Sequence, residues 1–153
     1  MREVAKAAET TTPTLYERFA DREALIKAVT DVFRDRLVAI LDPNDSLEKL
    51  GGKFLEFCEE NPNAVGLLIG RMANNLKSRS QGPVYEMVRN NLVKTGFSPK
   101  DAEEVTLATT STMAGAAMLM SELGASTRAG KDLHQAMIKL LQRIVKSNHN
   151  GKA

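Results

Sequence analysis

Few residues in this sequence could do chemistry of their own, and their spacing limits what that chemistry is. The one cysteine, Cys58, lies in the acidic run Glu56-Phe57-Cys58-Glu59-Glu60. Neighbouring carboxylates raise a thiol pKa and disfavour the thiolate that nucleophilic or metal-binding work needs. A single cysteine also excludes a disulfide framework. The two histidines, His134 and His149, fall near the C-terminus with no cysteine nearby, so no spacing resembles a zinc site. Glu59-Glu60 and Glu103-Glu104 are adjacent pairs; adjacent residues on a helix do not face each other, so they read as solvated charge. No P-loop, G-x-G-x-x-G or G-x-S-x-G is present. The expectation is a protein that is not an enzyme and uses no cofactor and no metal.

Hydroxyls are concentrated near the start. Arg2 to Ala8 places Val4, Ala5 and Ala8 at helical spacing, Glu9-Thr10-Thr11 is poor helix material, and Thr12-Pro13 opens a second helix. Thr11 or Thr12 can cap it, because proline is tolerated in a first turn and restrains the residue before it. The second helix turns Leu15 and Phe19 inward and leaves Thr14, Tyr16, Glu17 and Arg18 on other faces. Two short helices joined by a tight turn, with hydrogen-bonding residues starting the second, have the helix-turn-helix layout that enters a DNA major groove.

The elements that must position this segment are helices almost throughout. The chain has 153 residues, 42% hydrophobic and 26% charged, a composition for one globular domain with a sizeable core. No apolar run is long enough for a membrane span and no signal segment opens the chain, so no membrane partner and a cytoplasmic location are expected. From Asp21, Leu25, Val29, Val32, Phe33, Leu37 and Ile40 step by three or four to a turn at Asp42-Pro43-Asn44-Asp45. A second helix carries Leu47, Leu50, Phe54 and Phe57, with Gly51-Gly52 weakening it internally. After Asn61-Pro62-Asn63 come Val65, Leu68, Ile69, Met72 and Leu76, then a loop at Ser78-Arg79-Ser80-Gln81-Gly82. Pro83 opens a helix with Val84, Val88 and Leu92 that closes at Gly96. Ser98-Pro99-Lys100-Asp101 starts a long helix that runs to about Leu123 with an interior of small residues, and the last helix bears Leu133, Met137, Leu140, Leu141 and Ile144. These last two helices complete an intrachain core or supply half of a four-helix dimer bundle. Ser147 to Ala153 reads as a frayed tail.

The N-terminal residues resemble a family. Val4-Ala5-Lys6-Ala7-Ala8, Thr11-Thr12-Pro13-Thr14-Leu15-Tyr16-Glu17-Arg18-Phe19 and Asp21-Arg22-Glu23-Ala24-Leu25 are similar to the TetR/AcrR-type regulator signature, I-A-x-x-A-G-V-S-x-x-T-L-Y-x-x-F followed by x-x-K-E-x-L. The similarity covers residues 2 to about 30. It implies an all-α, TetR-like fold: a helix-turn-helix segment with its connecting helix over residues 1–41, then a helical ligand-binding and dimerisation domain over 42–153. It makes Thr10, Thr11, Thr12 and Thr14 candidate contacts to phosphates or base edges. Tyr16 becomes a phosphate contact, Glu17 and Arg18 neighbours of the duplex, and Arg22 a contact to the DNA backbone. Hydroxyls and helix N-termini donate to phosphates, and arginine reads guanine, whereas Glu17 helps only by accepting from cytosine. Leu15 and Phe19 are core positions in this comparison.

The sequence departs from the family in three ways. The glycine and apolar residue of the family's turn are Glu9 and Thr10 here. Residues 1–153 hold no counterpart of the family's amphipathic helix ahead of this pair, so the expectation is an N-terminally shortened member, or a partner or another surface that covers the gap. Residues 1–41 carry seven basic and seven acidic side chains, without the positive footprint that supplies most nonspecific DNA affinity. The basic excess lies at the end, in Arg128, Lys131, Lys139, Arg143, Lys146 and Lys152 against Asp132. Two functions follow. The first is a repressor that binds double-stranded operator DNA as a homodimer through its last two helices, and is released by an unknown small-molecule effector. Phe54, Phe57, Met72, Tyr85 and Met113 are its candidate ligand-binding residues. The second is a dimeric helical ligand-binding or interaction module without competent DNA binding.

Overall fold

A computed structural model describes residues 1–77 and 81–150, with side chains as far as Ser147 at the C-terminal end. Among the described residues the chain forms eight helices and no strand. They are α1 (Arg2–Ala7), α2 (Thr12–Arg18), α3 (Arg22–Ile40), α4 (Leu47–Glu60), α5 (Pro62–Lys77), α6 (Pro83–Lys94), α7 (Pro99–Leu123) and α8 (Arg128–Asn150).

Local chemistry sets most of the boundaries. Thr11 Oγ1 accepts from the Thr14 amide at 3.3 Å, and Pro13 occupies the first turn of α2. Asp21 Oδ1 accepts from the Ala24 amide at 2.7 Å and starts α3. Ser98 Oγ accepts from the Asp101 amide at 3.1 Å and starts α7, which ends at Gly124 with φ near +80°. The turn between α3 and α4 is pinned from two sides. Lys53 holds Asp45 at 2.6 Å and donates to the Ile40 carbonyl at the C-terminal end of α3, while the Asn91 amide of α6 donates to the Asp45 carbonyl at 2.7 Å. The Lys53 contact holds the Asp45 carboxyl below its ordinary pKa, with Lys49 adding to it against the effect of burial.

The core centres on α4, α7 and α8, where Leu55, Ala117, Met120 and Leu141 are buried, and α6 closes one side with Leu92. A second cluster, Leu37, Leu41, Leu50 and Phe57, fastens α3 to α4. The close approach of α8 depends on Gly51. A Cβ there would lie 2.1 Å from Leu141 Cδ1, so the glycine expected to weaken α4 is where α8 seats.

Two expectations change. On α3 the inward face is Thr30, Phe33 and Leu37, whereas Val29, Val32 and Ile40 are exposed. Thr30 can be buried because its hydroxyl donates to the Ile26 carbonyl at 2.7 Å, which satisfies the polar atom within the helix. At the C-terminus α8 continues through Asn150 where a frayed tail was expected from Ser147. Residues 151–153, which include Lys152, and the Ser78-Arg79-Ser80 part of the expected loop lie outside the described residues, as does the His149 side chain.

Candidate nucleic-acid interface and cavity

The N-terminal helices form a small unit. Its buried side chains on α1 and α2 are Ala5 and Leu15, and Phe19, at the C-cap of α2, is half-buried. The turn between them forms through backbone hydrogen bonds from the Glu9 amide to the Lys6 carbonyl and from the Thr10 amide to the Ala5 carbonyl. Glu9 takes φ near +49°, a left-handed conformation that glycine adopts freely and glutamate does not. It is the position at which the resembling signature has glycine.

Around that turn, Thr11 is exposed and its hydroxyl pairs with the Thr14 hydroxyl at 2.8 Å beside the α2 N-terminus. Thr10, Thr12 and Thr14 are half-buried. Tyr16, Glu17 and Arg18 are exposed on α2, with Tyr16 52% accessible, and Arg22 is exposed at the start of α3. The eight residues named from the sequence therefore lie along one continuous stretch from the turn to the first residue of α3.

The second feature is a cavity of about 640 Å³ among α3, α4, α5, α6 and α7, with Leu141 of α8 also in its lining. Phe54, Met72, Tyr85 and Met113 line it. Phe57 does not; it is buried in the cluster with Leu37, Leu41 and Leu50, which joins α4 to α3. The body of the cavity is apolar, with Leu37, Leu68, Ile69 and Leu107 among its walls. Its polar groups occupy two walls. On the α6–α7 side Glu103 accepts from the Tyr85 hydroxyl at 3.1 Å, Arg89 Nε at 3.0 Å and the Gln81 amide at 2.6 Å. Burial raises the Tyr85 pKa, and the hydrogen bond to Glu103 and the charge of that carboxylate raise it further. On the α3–α5 side are Arg34 and Arg71. Both hold Asp31, Arg34 at 3.0 Å, and Arg34 also holds Asp35 at 2.6 Å.

Two sets of carboxylates expected as solvated charge thus have partners. Glu103 gathers the three donors just named, and Glu59 meets His134 Nδ1 at 2.8 Å between α4 and α8. Cys58 is buried, and desolvation, helped by the charge of Glu59, pushes its thiol up to about 12. Among the described residues no cluster of His, Cys, Asp and Glu could hold a metal ion, and no helix is long and apolar enough to cross a membrane. Among the cavity residues missed in the sequence are Arg34, Arg71 and Glu103. Their signal was spacing: Arg71 lies three residues after Leu68 and four before Asn75, on the same helical face, and both neighbours line the cavity.

Residues 1–29 match the family described as bacterial regulatory proteins, tetR family. No curated protein and no solved structure matches the chain.

Proposed function

We propose that this chain, whose N-terminal segment is that of a TetR-family DNA-binding transcriptional regulator within an all-α, TetR-like fold, is a repressor released from operator DNA by a small molecule in the cavity. One observation carries the reading. Helix α3 begins at the last candidate DNA contact, Arg22, and twelve residues later, at Arg34, it forms a wall of the cavity. A ligand that fits the cavity better in one arrangement of α3 than another shifts the population of that arrangement, and with it the placement of α2.

In this reading the hydroxyls of Thr10, Thr11, Thr12 and Thr14, the Tyr16 phenol and the Arg18 and Arg22 guanidinium groups face the duplex. Tyr16 and Arg22 meet phosphates, and the N-terminal turn of α2 meets base edges. Two such helices reach successive major grooves only from a dimer. The homodimer forms through α7 and α8, where Leu107, Met118, Leu119, Leu123 and Leu140 are exposed. Phe54, Met72, Tyr85 and Met113 contact the effector, and Phe57 supports Phe54 from behind. The setting is the cytoplasm, with no catalytic step.

The test is binding of the chain to DNA from its own upstream region at two salt concentrations, beside the double variant Tyr16→Ala, Arg22→Ala. Specific binding that falls steeply with salt and is lost in the double variant is expected. Each lost phosphate contact also lowers the slope of log affinity against log salt by about 1. A folded, dimeric protein that binds no DNA overturns the repressor and leaves a helical ligand-binding or interaction module, the reading favoured by the equal numbers of acidic and basic residues over 1–41.

A further inference from the structure

The geometry points to the chemical class of the cavity's ligand: an apolar molecule ending in a carboxylate, with the acid held by Arg71. This rests on the cavity being the effector site. Three charged groups of the lining, Glu103, Arg34 and Arg71, differ in how far they are already occupied. Glu103 already accepts three donors on its two oxygens, one of them the Arg89 guanidinium. An incoming cation would have to displace donors that are in place. Arg34 is also committed, giving Nη1 to Asp31 and both Nε and Nη2 to Asp35.

Arg71 differs. Among the described residues it gives Nη1 alone to Asp31, and its Nε and Nη2 have no partner. That pair of nitrogens is the edge of a guanidinium that takes a carboxylate through two parallel hydrogen bonds. The side chain is about 28% accessible and is part of the cavity lining. With the ligand's acid on Arg71, Asp31 keeps Arg34, and Asp35, about two-thirds exposed, is solvated by water. Apart from Asn75, Glu104, Thr109 and Thr110 the rest of the lining is mostly apolar and suits the rest of such a molecule, within the volume of ordinary small-ligand sites.

The acid also has a structural consequence. Among the described residues Asp31–Arg71 is the ion pair that crosses from α3 to α5. A ligand carboxylate competes with Asp31 for the same guanidinium and so weakens a strut between the helix that carries the DNA-binding segment and the cavity wall.

Decanoate and decanol test this, with binding to the full chain measured by titration calorimetry. Decanoate is expected to bind at least about tenfold more tightly than decanol, the scale of a charge-assisted pair. Arg71→Gln should remove that preference while leaving decanol affinity unchanged. Because Arg71→Gln also removes the strut, Asp31→Asn serves as the second variant: it keeps Arg71 and frees it, and should strengthen decanoate binding several-fold without altering decanol. Equal affinity for the two compounds, or a preference unchanged by both variants, overturns the acid assignment and leaves the cavity as a ligand site. Failure of both compounds to bind folded protein overturns the ligand-site reading itself, and the acid assignment with it.

Discussion

Glu9 shows how far single residues can be read from sequence. The turn between α1 and α2 needs one left-handed residue, and the chain places a glutamate there, at φ near +49°. The left-handed region costs a non-glycine residue about 1–2 kcal/mol, because its Cβ crowds the following carbonyl. Glu9→Gly removes that Cβ at a position already shaped for glycine. It is expected to raise stability by about 0.5–1 kcal/mol in urea unfolding, after the extra chain entropy of glycine is subtracted. Glu9→Ala, which keeps a Cβ, should give no such gain; equal effects of the two changes would show that backbone strain is absent. The position was conspicuous in the sequence as a departure from the glycine of the signature, while the backbone angle was not. Cys58 was legible in direction, since its acidic neighbours raise its pKa, but burial proves the larger cause and no sequence neighbour reports burial.

Among elements, helix starts were readable because their causes are local: Thr11, Asp21 and Ser98 each accept from an amide three residues ahead, as their capping chemistry requires. Faces were less readable, because which side of an amphipathic helix turns inward depends on partners far away in the chain. Helix α3 buries Thr30 and exposes Val29 for this reason. The glycines of α4 and α5 give the sharper contrast. In a helix, alanine is favoured over glycine by about 1 kcal/mol, and at Gly70, where an added Cβ meets nothing within 4 Å, Gly70→Ala should stabilise the protein by about 0.5–1 kcal/mol. At Gly51 the same Cβ would lie 2.1 Å from Leu141 Cδ1, so the fully buried Leu141 side chain would have to leave its packed position. Overpacking costs about 1–3 kcal/mol, so it outweighs propensity and Gly51→Ala should be net destabilising. A double-mutant cycle with Leu141→Val locates the cause: the loss at Gly51 should shrink when Leu141 is shortened. Stabilisation by both alanines would remove the close α4–α8 approach from the account.

For the whole molecule, the helical class and the number of helices followed from periodicity, but the cavity did not, since it is made by six helices whose facing residues are scattered from Arg34 to Leu141. The N-terminal candidates occupy one contiguous stretch because they are close in sequence; Phe57 and Phe54, three apart on α4, separate because Phe57 is buried in the cluster with Leu37 and Leu41 while Phe54 also lines the cavity. Assembly belongs to this scale too. Leu119 and Met118 are more than half exposed on α7, and an added Cβ at Gly115 meets nothing within 4 Å, so a band of α7 lies open in the single chain. If a second copy covers that band, folding and association are linked, and the melting temperature must rise with protein concentration by mass action. A Leu119→Lys substitution places a charge where the partner helix would sit. It should give a monomer by sedimentation equilibrium whose melting temperature no longer depends on concentration, while the cavity still binds its ligand, since Leu119 does not line it. A wild-type chain that sediments as a monomer and melts at one temperature across a hundredfold range of concentration would rule out the dimer through α7 and α8. Two recognition helices on one operator would then need another way to come together.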